Sequence, residues 1–242
     1  MNFAHIVGSR IKRIPAGQVF GYGELPEYNR APGAVVKAVS RLVKEGTIKR
    51  LSKGKFYIPK QGILGVRKPS DNELIRAMLY KNGQLRGYVT GPALFNRLGL
   101  TTQVPRTVTL ALDNGGRQTK DFGTIRIKTT PSRMPVEEGD VPLLQYLDVL
   151  QDIKKISDTS VNQTLKTMQR YMGKLSVQEL ERIVNLAERG YGPQVKALIG
   201  LLFTSLGLTV PQNLKQALNP TTTYKLELDP NQWPDAKDWN IQ

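Results

Sequence analysis

Cysteine is absent from the 242 residues, and histidine occurs once, at His5. The two absences exclude disulfides, thiolate metal sites, a cysteine nucleophile and a histidine metal cluster. An absence of cysteine also fits a reducing compartment. Long apolar runs are missing too. The most apolar stretch, Ala197 to Val210, holds Thr204, Ser205 and two glycines, and it is shorter than the roughly 20 residues of a membrane span. The N-terminal stretch MNFAHIVGSRIKRI is amphipathic and lacks an apolar signal core. These features predict a soluble, cytoplasmic protein without a cofactor or a metal.

Acidic residues are scarce in one part of the chain. Residues 1–68 carry 14 Lys and Arg against 3 acids, a net +11; residues 69–133 carry 10 against 4, a net +6; residues 134–242 carry 11 against 13, a net −2. A basic first half on a slightly acidic remainder suggests an anion-binding head on a different kind of body, and nucleic acid is the expected anion. No amphipathic helix joins a basic face to bulky Trp, Phe and Leu insertion residues, so a membrane surface is not the expected partner.

Within the head, Pro32 to Lys44 reads as a helix. Ala34, Val35, Ala38, Val39, Leu42 and Val43 share one face, and Lys37, Arg41 and Lys44 share the other. Pro32 suits the first turn and Gly46 the stop. Two β-prone runs follow, Thr47–Leu51 and Lys55–Ile58, joined by Ser52-Lys53-Gly54. Upstream lie a helix over 3–13, a short strand at Gln18–Phe20 that would pair with the hairpin, a turn at 21–23, and a short helix over 24–28. The helix would turn Phe3, Ile6, Val7, Ile11 and Ile14 inward and Arg10, Lys12 and Arg13 outward. This is the order of a winged helix-turn-helix, in which the long helix enters the major groove and the hairpin reaches flanking phosphates. The candidate contacts are Arg41 and Lys37 at bases or phosphates, and Lys44 beside them. Lys49, Arg50, Lys53 and Lys55 would supply wing phosphate contacts, and Arg30 would do so before the helix.

Residues 59–69 read as a linker, which divides the chain into 1–68 and 69–242. The second part splits into a small α+β unit, 69–133, and a mostly helical part, 134–242, so the fold class is α+β. Ser70 predicts an N-cap with Glu73 completing a capping box, and a helix to Lys81. A strand is expected over 84–89, a helix over 93–98 and a strand over 104–112. Asp113-Asn114-Gly115-Gly116 predicts a hairpin to a partner strand over 121–129. Helices are expected over 142–153, 160–172, 176–189 and 192–206, then a strand over 221–228 and a disordered Trp-rich finish. Glu137, Glu138 and Asp140 lie before a helix, where acids complement the dipole, and no histidine or cysteine accompanies them. An enzyme is therefore not expected. Whether Arg97, Arg106, Arg117 and Lys128 extend a DNA track or face solvent is open, with solvent the favoured reading.

Three segments carry a family resemblance: AVSRLVKEGTIKRLSKGKFYI; YVTGPALFNRLGLTTQVPRTVTLAL at 88–112; and LLQYLDVLQDIKKISD with the later TYKLEL. The chain resembles the AbiEi family of antitoxins, from bacterial abortive-infection toxin–antitoxin systems. The resemblance implies a winged-helix DNA-binding domain before an antitoxin domain. It further implies repression of the protein's own operon at operator repeats in double-stranded DNA, and a cognate toxin resembling nucleotidyltransferases. Neutralisation would run through a complex or only functionally, and the oligomeric state is left open. The resemblance adds Ser40 to the DNA-contacting positions. The competing readings are a protein-binding neutraliser that uses its helical part and a transcriptional regulator without a dedicated toxin.

Overall fold

A computed structural model describes residues 3–63 and 65–242. The chain is α+β and divides into two units, Met1–Arg86 and Gly87–Gln242.

In the first unit, α1 (Phe3–Ile11) leads to β1 (Val19–Gly21), and two 3-10 turns, Tyr22–Glu24 and Pro26–Asn29, lead to α2 (Pro32–Lys44). The hairpin β2 (Lys49–Ser52) and β3 (Lys55–Tyr57) comes next. The sheet order is β1-β3-β2, antiparallel throughout, with Val19 opposite Tyr57 and Arg50 opposite Phe56. The expected helix over 24–28 is realised as 3-10 turns, because Pro26 has no N–H with which to continue a ladder. The predicted inward face of α1 is seen at Val7 and Ile11, which are buried; the Phe3 side chain lies outside the described residues.

Alternation along β3 gives the sheet two buried faces. Phe20 and Phe56 point into a core with Val7, Ile11, Leu25, Val35, Val39, Leu42 and Ile48. Val19 and Tyr57 point the other way, against Ala77 and Leu51. Each fully buried Val or Leu contributes about 1.5–3 kcal/mol, so both faces need covering. Residues 59–69 supply more than a linker. They form β4 (Lys60–Gly62) and β5 (Gly65–Arg67), an antiparallel hairpin around a stretch whose Leu64 lies outside the described residues.

The helix α3 (Asp71–Leu79) covers the second face. The Ser70 hydroxyl accepts the Glu73 N–H as predicted, but Glu73 does not return the bond. Its carboxylate instead accepts the Val19 N–H at 2.6 Å, while Arg76 donates to the Val19 carbonyl at 3.0 Å and to Glu73 at 2.7 Å. Glu73 and Arg76 thus satisfy the open edge of β1 in place of a fourth strand. That is the physical reason the first unit extends past Lys68 to Arg86. It closes on the hairpin β6 (Tyr80–Lys81) and β7 (Gln84–Leu85), turned by Asn82 and Gly83 at positive φ.

The second unit opens with β8 (Gly87–Thr90), α4 (Pro92–Arg97), β9 (Thr107–Leu112), β10 (Gln118–Asp121) and β11 (Arg126–Pro131). The expected hairpin between the strands flanking Asp113–Gly116 does not form. β9 and β11 are parallel neighbours, and the chain between them runs out to the edge as β10 before returning, giving the order β10-β11-β9-β8. The tight antiparallel turn lies instead at Asp121–Ile125, where the Asp121 carboxylate accepts the Gly123 N–H at 2.8 Å and pairs with Arg126.

Five helices complete the unit: α5 (Val141–Gln151), α6 (Val161–Met172), α7 (Val177–Gly190), α8 (Pro193–Ser205) and α9 (Gln212–Gln216). Ser176 and Glu179 form a capping box on α7. Buried along most of its length, α8 packs against α5, α7, α9 and the C-terminal segment. Two expectations for that segment are overturned. Residues 221–228 form no strand, only a single parallel bridge from Tyr224 to Ile241. The Trp-rich finish is ordered as a 3-10 turn, Pro234–Trp239, with Trp233 and Trp239 buried. The reason is lateral: Gly200 leaves a gap on α8 that the Trp239 ring fills, and the indole N–H donates to the Thr204 hydroxyl at 3.1 Å.

Candidate nucleic-acid interface

On α2 the buried residues are Val35, Ala38, Val39 and Leu42. The opposite strip, Val36, Lys37, Ser40, Arg41 and Lys44, is exposed, so the predicted division between core and cationic face holds along the helix. Arg41 is within 3.4 Å of Glu45, one turn on, and both side chains are more than half exposed; such a pair holds by only a few tenths of a kcal/mol and releases readily to a stronger anion. Val36 stands on the same strip at 39 % exposure. Reasoning from charge passes over it, although its place one residue before Lys37 is an available signal.

The cations of the β2–β3 hairpin separate into groups. Arg50 is exposed, and its guanidinium lies 5.8 Å from the centroid of the Phe56 ring. Because Arg50 and Phe56 are register partners, Arg50 is on the α2 side of the sheet. Lys49 is the partner of Tyr57 and so belongs to the side that α3 covers. Lys53 is exposed at the turn, beside Gly54 at positive φ. Lys55 is the least free of the set, because its ammonium lies 3.4 Å from Glu24 and its side chain is largely covered.

Arg30 is exposed at the end of the second 3-10 turn, two residues before α2. The neighbouring Glu27 is buried, and Arg10 of α1 donates to it at 2.9 Å. Burial pushes the Glu27 carboxyl up. Its own backbone N–H, the Arg10 hydrogen bond and the Arg10 and Arg30 charges outweigh that, and its pKa lies below the ordinary value. Helical periodicity alone turns Arg10 outward with Lys12 and Arg13; the structure uses it to tie α1 to the turn that aims α2.

A second basic concavity belongs to the same unit. A cavity of about 770 Å³ is lined by Gly17, Gln18, Lys60, Arg67, Lys68 and Arg76 among others. Among the described residues no group of His, Cys, Asp or Glu could hold a metal ion, and no helix is long and apolar enough to cross a membrane. Two of the three acids singled out before α5 are engaged with one arginine: Arg182 donates to Asp140 at 2.8 Å and lies 3.5 Å from Glu137.

A family model described as a family of unknown function, DUF6088, matches residues 6–180. The chain belongs to this family. In this DUF6088 chain the match begins within α1, covers the rest of the first unit and runs on into α7. The crystal structure of the RV2827C protein from Mycobacterium tuberculosis is similar at 14 % identity and a TM-score of 0.47, covering 91 % of this chain and 83 % of that one. No curated protein matches.

Proposed function

We propose that the first unit is a winged-helix head that binds double-stranded DNA, with α2 in the major groove and the β2–β3 hairpin against the flanking backbone. The observation that carries the reading is the exposed strip Lys37, Ser40, Arg41 and Lys44, on a helix whose other face is buried, followed at once by a basic hairpin. Helix, strand, short turn, helix and hairpin in this order, closed into a β1-β3-β2 sheet, support it. Arg41 and Lys37 address base edges or phosphates, Ser40 and Lys44 lie along the same groove, and Val36 offers an apolar contact for a thymine methyl. Arg30, Arg50 and Lys53 supply phosphate contacts, with Lys49 and Lys55 weaker contributors because of their placement.

The wider reading, supported by the resemblance to AbiEi antitoxins, is an antitoxin that represses its own operon and counteracts a nucleotidyltransferase-like toxin. An adjoining open reading frame of that class, together with rescue of its toxicity by this chain, tests it. For the DNA reading the test is Arg41→Ala. It is expected to relax discrimination at one base pair by about 1–3 kcal/mol while the fold is kept. Unchanged discrimination among operator variants would remove Arg41 from the site.

A further inference from the structure

The second unit carries a cleft that the DNA-binding reading does not use. It lies on one face of the four-stranded sheet. Register places Thr90, Thr109 and Lys128 in one row across β8, β9 and β11, and Tyr88, Ala111 and Thr130 in the next. Alternation turns these six residues to the same side, and all of them line a cavity of about 620 Å³. The far wall is the C-terminal end of α5 and the 3-10 turn Ile153–Lys155, with Asp148, Gln151, Asp152 and Lys155. Arg117, before β10, and Arg133, after β11, complete the lining.

Four cations from three stretches of chain therefore meet in one concavity. Its two acids are already committed. Asp148 is buried and accepts from the Thr90 hydroxyl at 2.6 Å and the Tyr191 hydroxyl at 2.8 Å. Asp152 accepts from Lys155 at 2.7 Å. Arg133 lies over the Tyr191 ring, 5.2 Å from its centroid, with its Nε 3.9 Å from Asp148. Stacking and pairing on one side hold the guanidinium in place, and its side chain is still 45 % exposed. Arg117 and Lys128 have no acidic partner among the described residues. Gathering like charges along a low-dielectric wall is unfavourable unless an anion sits between them. The Thr109 and Thr130 hydroxyls on the floor add donors suited to phosphoryl oxygens, and the volume falls in the range of small-molecule sites.

We propose that this cleft binds a phosphorylated small molecule of nucleotide size. Arg133 is the preorganised fork for the phosphate, Lys128 and Arg117 are the charges that close on it, and the Asp148–Thr90–Tyr191 network positions Arg133. The cleft lies wholly within Gly87–Gln242, so this assignment stands or falls separately from DNA binding by the first unit.

Isothermal calorimetry on the full chain tests it with ADP, pyrophosphate, inorganic phosphate and adenosine as the titrants. ADP and pyrophosphate are expected to bind, adenosine to give no heat, and inorganic phosphate to bind about tenfold or more weaker, since it reaches fewer of the cations. Arg117→Ala with Lys128→Ala is expected to weaken ADP by about tenfold or more. Arg117→Lys with Lys128→Arg is expected to restore most of the binding. Both positions are exposed, and an unaltered thermal midpoint confirms that the variants fold. Absence of ADP and pyrophosphate binding, equal binding of ADP and adenosine, or an ADP affinity indifferent to the double substitution would overturn the assignment. So would a double variant that loses duplex DNA but keeps ADP, because the cleft would then be part of a polynucleotide track.

Discussion

Gly200→Ala separates two opposed physical effects in one residue. Gly200 lies in the interior of α8, where alanine in place of glycine favours a helix by about 1 kcal/mol. A Cβ built there, however, would lie 2.1–2.4 Å from three ring atoms of Trp239. Ordinary carbon contacts fall at about 3.5–4 Å, so the ring must retreat by more than 1 Å. Trp239 is 3 % exposed and anchored to the Thr204 hydroxyl, which leaves it little room to move. Overpacking of that kind costs about 1–3 kcal/mol, and after the helix gain the net expectation is a loss of up to about 2 kcal/mol. At about 2–4 °C per kcal/mol for a domain of this size, the midpoint falls by up to several degrees. Trp239→Ala alone should cost about 3–5 kcal/mol through the cavity it leaves. In that background Gly200→Ala should reverse sign and stabilise, because only the helix preference remains. Thermal and urea unfolding of the four proteins of the cycle, followed by circular dichroism, measures this. A stabilising Gly200→Ala in the otherwise native chain would refute the docking of the C-terminal segment on α8.

Two further substitutions probe the first unit. Glu73→Ala should leave the Val19 N–H unpaired in a buried strand and cost about 1–3 kcal/mol; a change within experimental error in urea unfolding would show that α3 does not hold the β1 edge. Glu27→Gln tests the pH dependence. The folded-state pKa of Glu27 is lowered, so its contribution is complete above the unfolded carboxylate value of about 4.3 and fades as pH falls through the lower folded value. The stability advantage of the native chain over Glu27→Gln should therefore be full at neutral pH and shrink in acid, and an advantage that grew on acidification would contradict the Arg10 pairing.

Local signals in the sequence are legible where one element determines itself. The α2 stripe shows through because burial of Val35, Val39 and Leu42 repeats with the helix period. The Ser176–Glu179 cap can be read because both halves of the bond lie three residues apart. Non-local choices are hidden. Glu73 looks like a cap partner, yet Val19, far away in sequence, takes its carboxylate. Asp113–Gly116 carries every hairpin residue, but the parallel pairing of β9 with β11 depends on the chain visiting the sheet edge first. The segment 221–242 lacks a period altogether and is ordered by a gap at Gly200 that no local pattern announces. Charge counting finds the cations of the candidate interface, whereas the holds on Arg10 and Lys55 need Glu27 and Glu24 to be placed in space.

Binding of a labelled duplex to the full chain as a function of salt tests the DNA-binding claim most directly. Lys37, Lys44, Arg50 and Lys53 are exposed cations without an acidic partner among the described residues, Arg30 is exposed beside the buried Glu27, which Arg10 already pairs, and Arg41 is released easily from Glu45. With about five phosphates neutralised, log K against log salt should fall with a slope of about −4 to −5. Lys53→Ala should make the slope shallower by about one, with affinity lowered evenly across sequences. A slope near zero, or one that Lys37→Ala, Arg41→Ala and Lys53→Ala together leave unchanged, would contradict a DNA-binding face on α2 and its hairpin.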